Sequence, residues 1–381
     1  MGNLLFDLFA CQSGRGIMNH GGKEYGEAVF FEIMRRNFPV SGIYDPEENI
    51  NESFLSYCKA HGELINRRET SVEEAIKTNK FSAFYSALPY AYNNIKWGNA
   101  KFIGNLHGLR PLEAFTDKYE YKYTTNFQSL IKAKLKSLGF VEKIARKEFI
   151  SRIKEIINNP SFVCITGSEH SKYALLNYFP DVKAENIAVF YDPLNMEFVE
   201  DAEGGYEKYY LLVSGNRWLK NTYRGVKALD QLISSGRLSS KVIVTGVDSH
   251  MLYLKEIKNK DHFIFKNYVS SAELASLYKN AYCLIFLSLS EGFGYPPLEA
   301  INRGTPVICS PLTALYEIYQ NSVLYCDPLS IDDIKVKILE MEDPVIHTRY
   351  QEKGLQHSKE MVRIQAEELP KLVDFILSFC S

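Results

Sequence analysis

Leu284-Ile285-Phe286-Leu287-Ser288-Leu289-Ser290-Glu291-Gly292-Phe293-Gly294-Tyr295-Pro296-Pro297-Leu298-Glu299-Ala300-Ile301-Asn302-Arg303-Gly304-Thr305-Pro306-Val307-Ile308-Cys309 reads as strand, glycine loop, short helix and strand. Its first apolar run is short and unbroken, as in a parallel strand covered on both faces. Gly292 and Gly294 free the turn from Cβ clashes and let a ligand approach the backbone. Pro296 and Pro297 suit the first turn of a helix, where a missing N–H costs little. Gly304 ends that helix, and Pro306 opens the next strand. In a doubly wound sheet, the loop at the carboxyl end of such a strand is where ligands bind. The N–H groups of the helix start are expected to face an anion.

Glu291 and Glu299 bracket the loop, eight positions apart (299 − 291). Two solvated acids at a helix start would be a sufficient account. Eight helical positions correspond to about 12 Å of axis, whereas hydrolytic carboxyl pairs sit roughly 5–9.5 Å apart. The spacing therefore suits two separate acceptors for the hydroxyls of one polyhydroxylated ligand.

The run Glu291-Gly292-Phe293-Gly294-x-Pro296-x-x-Glu299-Ala300, followed by Gly304-Thr305-Pro306-Val307-Ile308, resembles the Glu-x7-Glu signature of the retaining GT-B glycosyltransferases of family GT4. The resemblance is strong over about residues 209–327 and looser before residue 192. It implies an α/β fold of GT-B type, with two Rossmann-like domains facing a cleft. Residues 1–192 would form an N-terminal acceptor-side domain and 193–207 a linker. Residues 208–358 would bind the nucleotide sugar, and 359–381 would be a helix crossing back to the first domain.

Composition agrees with a large globular chain. Its 381 residues favour two domains over one core. A net charge of −2 carries no electrostatic footprint for nucleic acid. Seven scattered cysteines without a Cys-x-x-Cys pair suit buried thiols in a reducing compartment, not a disulfide frame or a zinc site. The apolar run at 4–11 includes Asp7 and is too short to span a bilayer. The expected location is cytoplasmic, extending to the inner face of the plasma membrane if the lipid contact considered below exists.

In chain order, residues 4–10 read as a strand. Ser13-Gly14-Arg15-Gly16 and His20-Gly21-Gly22-Lys23 then form a glycine-rich turn, and a helix follows over about 24–37. Strand, glycine turn and helix together can cradle a phosphate, although glycine-rich loops are often only loops. GT4 members usually carry Gly-Gly-x-Gly or a similar run here, near the donor phosphate; this chain has Gly21-Gly22 followed by Lys23. Val40–Tyr44, Phe81–Ser86 and 101–106 are further strands. The last ends at His107-Gly108-Leu109-Arg110, and a histidine there sits where a doubly wound sheet places its chemistry, or merely caps a loop. In GT4 a histidine at this place faces the donor sugar.

Residues 119–158 read as helical and basic, with Lys132, Lys134, Lys136, Lys143, Arg146, Lys147, Arg152 and Lys154 against an apolar side of Leu130, Ile131, Leu135, Leu138, Phe140, Ile144, Phe149 and Ile153. Such a segment either lies on an anionic membrane or packs as an ordinary amphipathic helix. Phe162–Thr166 and 186–191 complete the first half as strands. The second half restarts with a strand at 209–214. The loop after it carries Arg217 and Lys220, a fork and a point charge suited to a diphosphate.

By the resemblance, Arg217 and Lys220 bind the donor diphosphate, and Glu299 takes the ribose hydroxyls. Glu291 holds a donor-sugar hydroxyl, helped by backbone N–H groups at Phe293 and Gly294. His107 positions the sugar, and Gly21 and Gly22 line the donor phosphate. The reaction implied is transfer of a hexose such as mannose or glucose from a nucleoside-diphosphate sugar to a hydroxyl of a glycan or lipid-linked acceptor, in bacterial surface-polysaccharide synthesis. There is no Asp-x-Asp, so no metal is expected, and no cofactor beyond the donor substrate. Two rivals share the fold: a nucleotide-sugar epimerase, which needs no acceptor, and a non-catalytic subunit.

Overall fold

The computed structural model describes residues 3–13, 21–78, 80–193 and 208–380. Gly14, Arg15, Gly16 and His20 of the first glycine loop lie outside the described residues, as does the expected linker beyond residue 193.

Two wholly parallel sheets organise the chain. The first contains β1 (Asn3–Asp7), β2 (Val40–Tyr44), β3 (Leu64–Asn66), β4 (Phe81–Ser86), β5 (Lys101–Asn105), β6 (Phe162–Thr166) and β7 (Ile187–Val189), in the order β3-β2-β1-β4-β5-β6-β7. The second contains β8 (Tyr209–Leu212), β9 (Lys241–Val244), β10 (Phe263–Phe265), β11 (Cys283–Phe286), β12 (Val307–Cys309) and β13 (Leu324–Tyr325), in the order β10-β9-β8-β11-β12-β13. The continuous apolar runs are explained by burial on both faces: every residue of β8, β11 and β12 is buried. Sequence reasoning missed β3, whose three residues are too short to show a period.

In each sheet the strand order reverses once, between β1 and β4 and between β8 and β11. Those reversals leave crevices at the carboxyl ends of the strands. The loops after β8 and β11 carry Arg217, Lys220, Glu291 and Gly294.

The chain divides into two compact units, Met1–Leu109 with Glu148–Asn195 and Arg363–Ser381, and Arg110–Lys147 with Met196–Val362. In the first, Leu372, Val373 and Ile376 of the last helix share a core with Phe6, Phe30 and Tyr85. The boundary differs from the expected one at residues 110–147, which belong with the second unit. Arg224 explains this: it is 2% exposed, and its guanidinium donates to both oxygens of Asp117, at 3.0 and 2.8 Å. The Tyr123 hydroxyl also accepts from the Tyr223 amide at 2.7 Å, and Tyr119 packs on the second core. The stretch expected as one helical region is a 3-10 turn, Glu120–Tyr123, and two helices, Phe127–Lys136 and Gly139–Ile157. All seven cysteines are free and buried. No described helix is long and apolar enough to cross a membrane.

Candidate active site

In the second unit, the loops after β8 and β11 are tied directly together, with the Leu289 amide donating to the Leu219 carbonyl at 2.8 Å. This places Lys220, at the end of the turn Trp218–Lys220, against Glu291. The Lys220 ammonium donates to Glu291 Oε1, which also accepts from the Ser288 hydroxyl at 2.5 Å. Arg110 Nη2 stands 3.7 Å from Glu291 Oε2. The Glu291 amide donates to Thr313 Oγ1 at 2.9 Å, which fixes the backbone of the loop. Ser214, Asn221 and Thr313 around this site all have positive φ, a strained conformation for non-glycine residues that collects at functional sites.

Glu291 is 4% exposed. Burial pushes its carboxyl up, but the Lys220 and Arg110 charges and the hydrogen bonds from Lys220 and Ser288 outweigh it, holding the group below the ordinary glutamate range. Burial, with the charges of Arg110 and Arg217, lowers the Lys220 ammonium against the pull of Glu291. Arg217 is exposed and makes no ion pair among the described residues. Two cations, Lys220 and Arg110, thus meet one buried carboxylate, with Arg217 near enough to act on Lys220, while the nearby Glu113 accepts from Ser290 at 2.8 Å. Sequence reasoning missed Arg110, Ser288 and Thr313. Arg110 closes the His107-to-Arg110 run, but nothing local points it at a loop 181 positions later (291 − 110).

In the first turn of the helix Tyr295–Ile301, three of the backbone positions have no N–H group to offer a ligand. Pro296 and Pro297 have none. The Leu298 amide donates to the buried Tyr319 hydroxyl at 3.1 Å, and that hydroxyl donates to the Gly294 carbonyl. Tyr319 is therefore inserted into the first i→i−4 bond of the helix. Gly294 has φ 90°, and a Cβ there would lie 2.6 Å from Leu315 Cδ2. Tyr319→Phe would leave a buried carbonyl and amide to re-pair. The expected cost is about 1–3 kcal/mol, with weakened nucleotide binding, read by urea denaturation and titration. An unchanged midpoint would show that the helix closes without the hydroxyl.

Phe293 is 2% exposed, with its ring 5.3 Å from that of Tyr295. Glu299 is half-buried on the same short helix. Both Glu291 and Glu299 act electrostatically on the Tyr319 hydroxyl, so one buried group senses both acids.

In the first unit, His107 follows β5 and is held on both sides of its ring. Nε2 lies 2.9 Å from the Ala87 carbonyl, to which it donates, and Nδ1 lies 3.3 Å from Asn105 Nδ2 and 3.4 Å from Asp192 Oδ2. In this arrangement the imidazole pins the loop after β4; a direct bond to a sugar requires release of one of these contacts. Gly21 opens the helix Gly21–Arg35. Gly22 is a packing glycine: a Cβ there would lie 2.7 Å from Leu88 Cδ2. Lys23, beside them, donates to Ser13 Oγ at 2.9 Å. Among the described residues, no group of three or more His, Cys, Asp or Glu could hold a metal ion.

The family model described as glycosyl transferases group 1 matches residues 199–356. The O-antigen chain mannosyltransferase RfbU of Salmonella typhimurium is 34% identical over 268 residues, 66% of this chain and 69% of that protein. The chain belongs to the group 1 glycosyltransferases. O-antigen chain mannosyltransferase B of Escherichia coli is 28% identical over 230 residues, 59% of this chain and 55% of its own length. Among solved structures, the sucrose-phosphate synthase of Thermosynechococcus elongatus aligns at TM-score 0.70 with 15% identity, covering 99% of this chain and 100% of that one. WaaG, a glycosyltransferase involved in lipopolysaccharide biosynthesis, aligns at 0.66 with 12% identity, covering 98% and 99%. At such identities these likenesses speak for the fold, which is GT-B. The group 1 glycosyltransferase is accordingly an enzyme of sugar transfer, and the cationic loops lie within its matched family region apart from Arg110.

Proposed function

We propose that this enzyme transfers a hexose, with mannose favoured, from a nucleoside-diphosphate sugar to a hydroxyl of a glycan or lipid-linked acceptor in surface-polysaccharide synthesis, with retention at the anomeric carbon and without a metal. The convergence of Arg110, Arg217 and Lys220 on the switch point of the second sheet carries this reading. Departure of a nucleoside diphosphate concentrates negative charge on its phosphates, and preorganised cations stabilise that charge without reorganising at the moment of reaction. Such cations can serve in place of a divalent ion. Glu291 Oε1 is committed to Lys220 and Ser288, leaving Oε2 as the oxygen for a sugar hydroxyl, and Glu299 is assigned to the ribose. Mannose is favoured because both relatives named above are mannosyltransferases. Retention rests on the Glu-x7-Glu resemblance; we favour front-face attack, in which the departing phosphate takes the acceptor's proton.

Thermal stability against UDP-, GDP-, ADP- and dTDP-sugars, with and without EDTA, tests the donor reading. A ligand at 100-fold over its Kd adds about 2.7 kcal/mol. One nucleotide is expected to stabilise the enzyme equally in both conditions. Arg217→Ala and Glu299→Ala are each expected to weaken its binding about tenfold, the loss of one charge-assisted contact. Unchanged affinity in both would overturn the assignment of these residues.

We also assign residues 127–147 to contact with an anionic membrane. Phe127, Ile131, Leu135 and Leu138 recur at helical spacing and are 74, 41, 51 and 42% exposed, and Phe140 and Ile144 are 63 and 64% exposed. Lys132, Lys134, Lys143 and Lys147 are exposed beside them. Apolar groups among lysines suit the boundary between acyl chains and anionic headgroups. The enzyme should sediment with phosphatidylglycerol vesicles and not with phosphatidylcholine ones. Phe127→Ser with Phe140→Ser should reduce binding at least tenfold, and equal sedimentation of wild type and variant would refute the contact.

A further inference from the structure

His107 is held by stretches far from it in the chain. Asp192, three residues past β7 (192 − 189), is 4% exposed and brings its Oδ2 to 3.4 Å from His107 Nδ1. The place of this carboxylate is built into the fold. Gly167 directly follows β6, and a Cβ there would lie 1.9 Å from Asp192 Oδ1, so the missing side chain is what lets the carboxylate sit against that backbone. The Phe190 amide donates to the Thr166 carbonyl at 3.0 Å, which keeps the ends of β6 and β7 side by side. Gln365, 3% exposed on the last helix, donates from Nε2 to the Asp192 carbonyl at 2.8 Å. The first unit has chain boundaries at Leu109, Asn195 and Arg363, so His107, Asp192 and Gln365 lie beside three of them.

A buried carboxylate is costly unless it is paired or hydrogen-bonded, and among the described residues the ring facing this one is His107. The Tyr25 ring closes another side of the imidazole, nearly perpendicular to it with centroids 4.9 Å apart. A neutral imidazole donates from one nitrogen and accepts at the other. Nε2 gives its hydrogen to the Ala87 carbonyl at 2.9 Å, and the Asn105 amide stands 3.3 Å from Nδ1 as a donor to it. Asp192 faces the same Nδ1 as an acceptor for the ring when it carries a second proton. Nδ1 is therefore engaged in either charge state. Nε2 has one partner, and is the nitrogen that can exchange its bond for one to a ligand.

We infer that Asp192 is a positioning residue for His107. Seated over Gly167 and tied to the last helix through Gln365, it fixes the imidazole by Nδ1 so that Nε2 is the atom presented to substrate. The inference rests on the proposed role of His107 in sugar transfer.

Two variants of the full chain disturb the carboxylate in different ways. Asp192→Asn keeps its shape and removes its charge, whereas Gly167→Ala keeps the charge and drives it from its seat. With histidine labelled in both ring nitrogens, the Nδ1 resonance of His107, assigned by its loss in His107→Gln, is expected to shift in both variants. Turnover is followed as release of nucleoside diphosphate from the nucleotide sugar that stabilises the enzyme. In both variants kcat should fall roughly tenfold to 10²-fold, the loss that a small misplacement brings, with the donor KM held within about twofold. Asp192→Ala should lose more than Asp192→Asn, because the amide can still accept a bond. Circular dichroism shows that each variant is folded; Gln365→Leu, which releases the Asp192 carbonyl, replaces Gly167→Ala if that one is not. A ring resonance and a kcat that stay unchanged in both variants, whatever happens to the melting midpoint, overturn the inference and leave Asp192 a structural residue. Failure of the underlying reading looks different: His107→Gln would then keep the wild-type kcat, even where the ring resonance shifts as expected.

Discussion

Replacing Lys220 by alanine is expected to lower kcat/KM by roughly 10²- to 10³-fold, the usual loss when one preorganised donor to a developing negative charge is removed. The variant also strands Glu291, which is 4% exposed. A buried charge deprived of its partner costs roughly 3–5 kcal/mol. The cost here should fall below that range, because Arg110 and Ser288 still face the carboxylate.

The pH dependence should change sign. In the wild type, Glu291 is held below its ordinary value of 4.5. It therefore contributes stability above that pH, which is lost as pH falls through the depressed value. Without Lys220, burial dominates and the carboxyl rises above its unfolded value. Its contribution is then present at low pH and lost as pH rises through the raised value. Urea denaturation across pH 4 to 8 reads both. Lys220→Ala with Glu291→Gln should recover stability without recovering activity, since the charge needed for the diphosphate is still missing. Full activity in Lys220→Ala would remove Lys220 from the catalytic assignment.

Arg224→Ala is expected to produce the largest loss of stability, roughly 3–5 kcal/mol. Arg224 is 2% exposed and makes a two-pronged bond to Asp117 while its Nη1 also donates to Asn221 Oδ1 at 2.8 Å. Removing it leaves Asp117 without its guanidinium and Asn221, held at φ 56° beside Lys220, without one of its braces. The loss should therefore reach the donor loop, with weaker nucleotide binding and faster proteolysis within residues 110–147. Arg224→Met with Asp117→Leu should lose much less, because a buried ion pair replaced by apolar groups of similar volume is often neutral. A midpoint shift below about 1 kcal/mol for Arg224→Ala, the size of an ordinary surface pair, would mean that the pair does not anchor the segment.

Much of the second sheet was legible from local pattern. The runs at β8, β11 and β12 are buried on both faces, so each strand announces itself without reference to its neighbours. The loops that follow carry Arg217, Lys220, Glu291 and Gly294 within a few residues of those strands, and a parallel sheet must place such loops at its carboxyl edge. Periodicity could not disclose β3, with three residues, or the break that separates Phe127–Lys136 from Gly139–Ile157.

The amino-acid sequence by itself determined the two α/β halves, the loop at which chemistry is expected and the signature of its family, because burial and turn geometry act over short stretches. Only the tertiary structure decided which side chains complete the site. Arg110 meets Glu291 from the segment that Arg224 anchors, and Tyr319, at the end of the helix Ala314–Tyr319, bonds the Leu298 amide. Tertiary contacts also assigned residues 110–147 to the second unit, through a buried guanidinium at Arg224 whose partner lies 107 residues earlier. Pairings of that range depend on which loops the fold brings together, and no local periodicity records them.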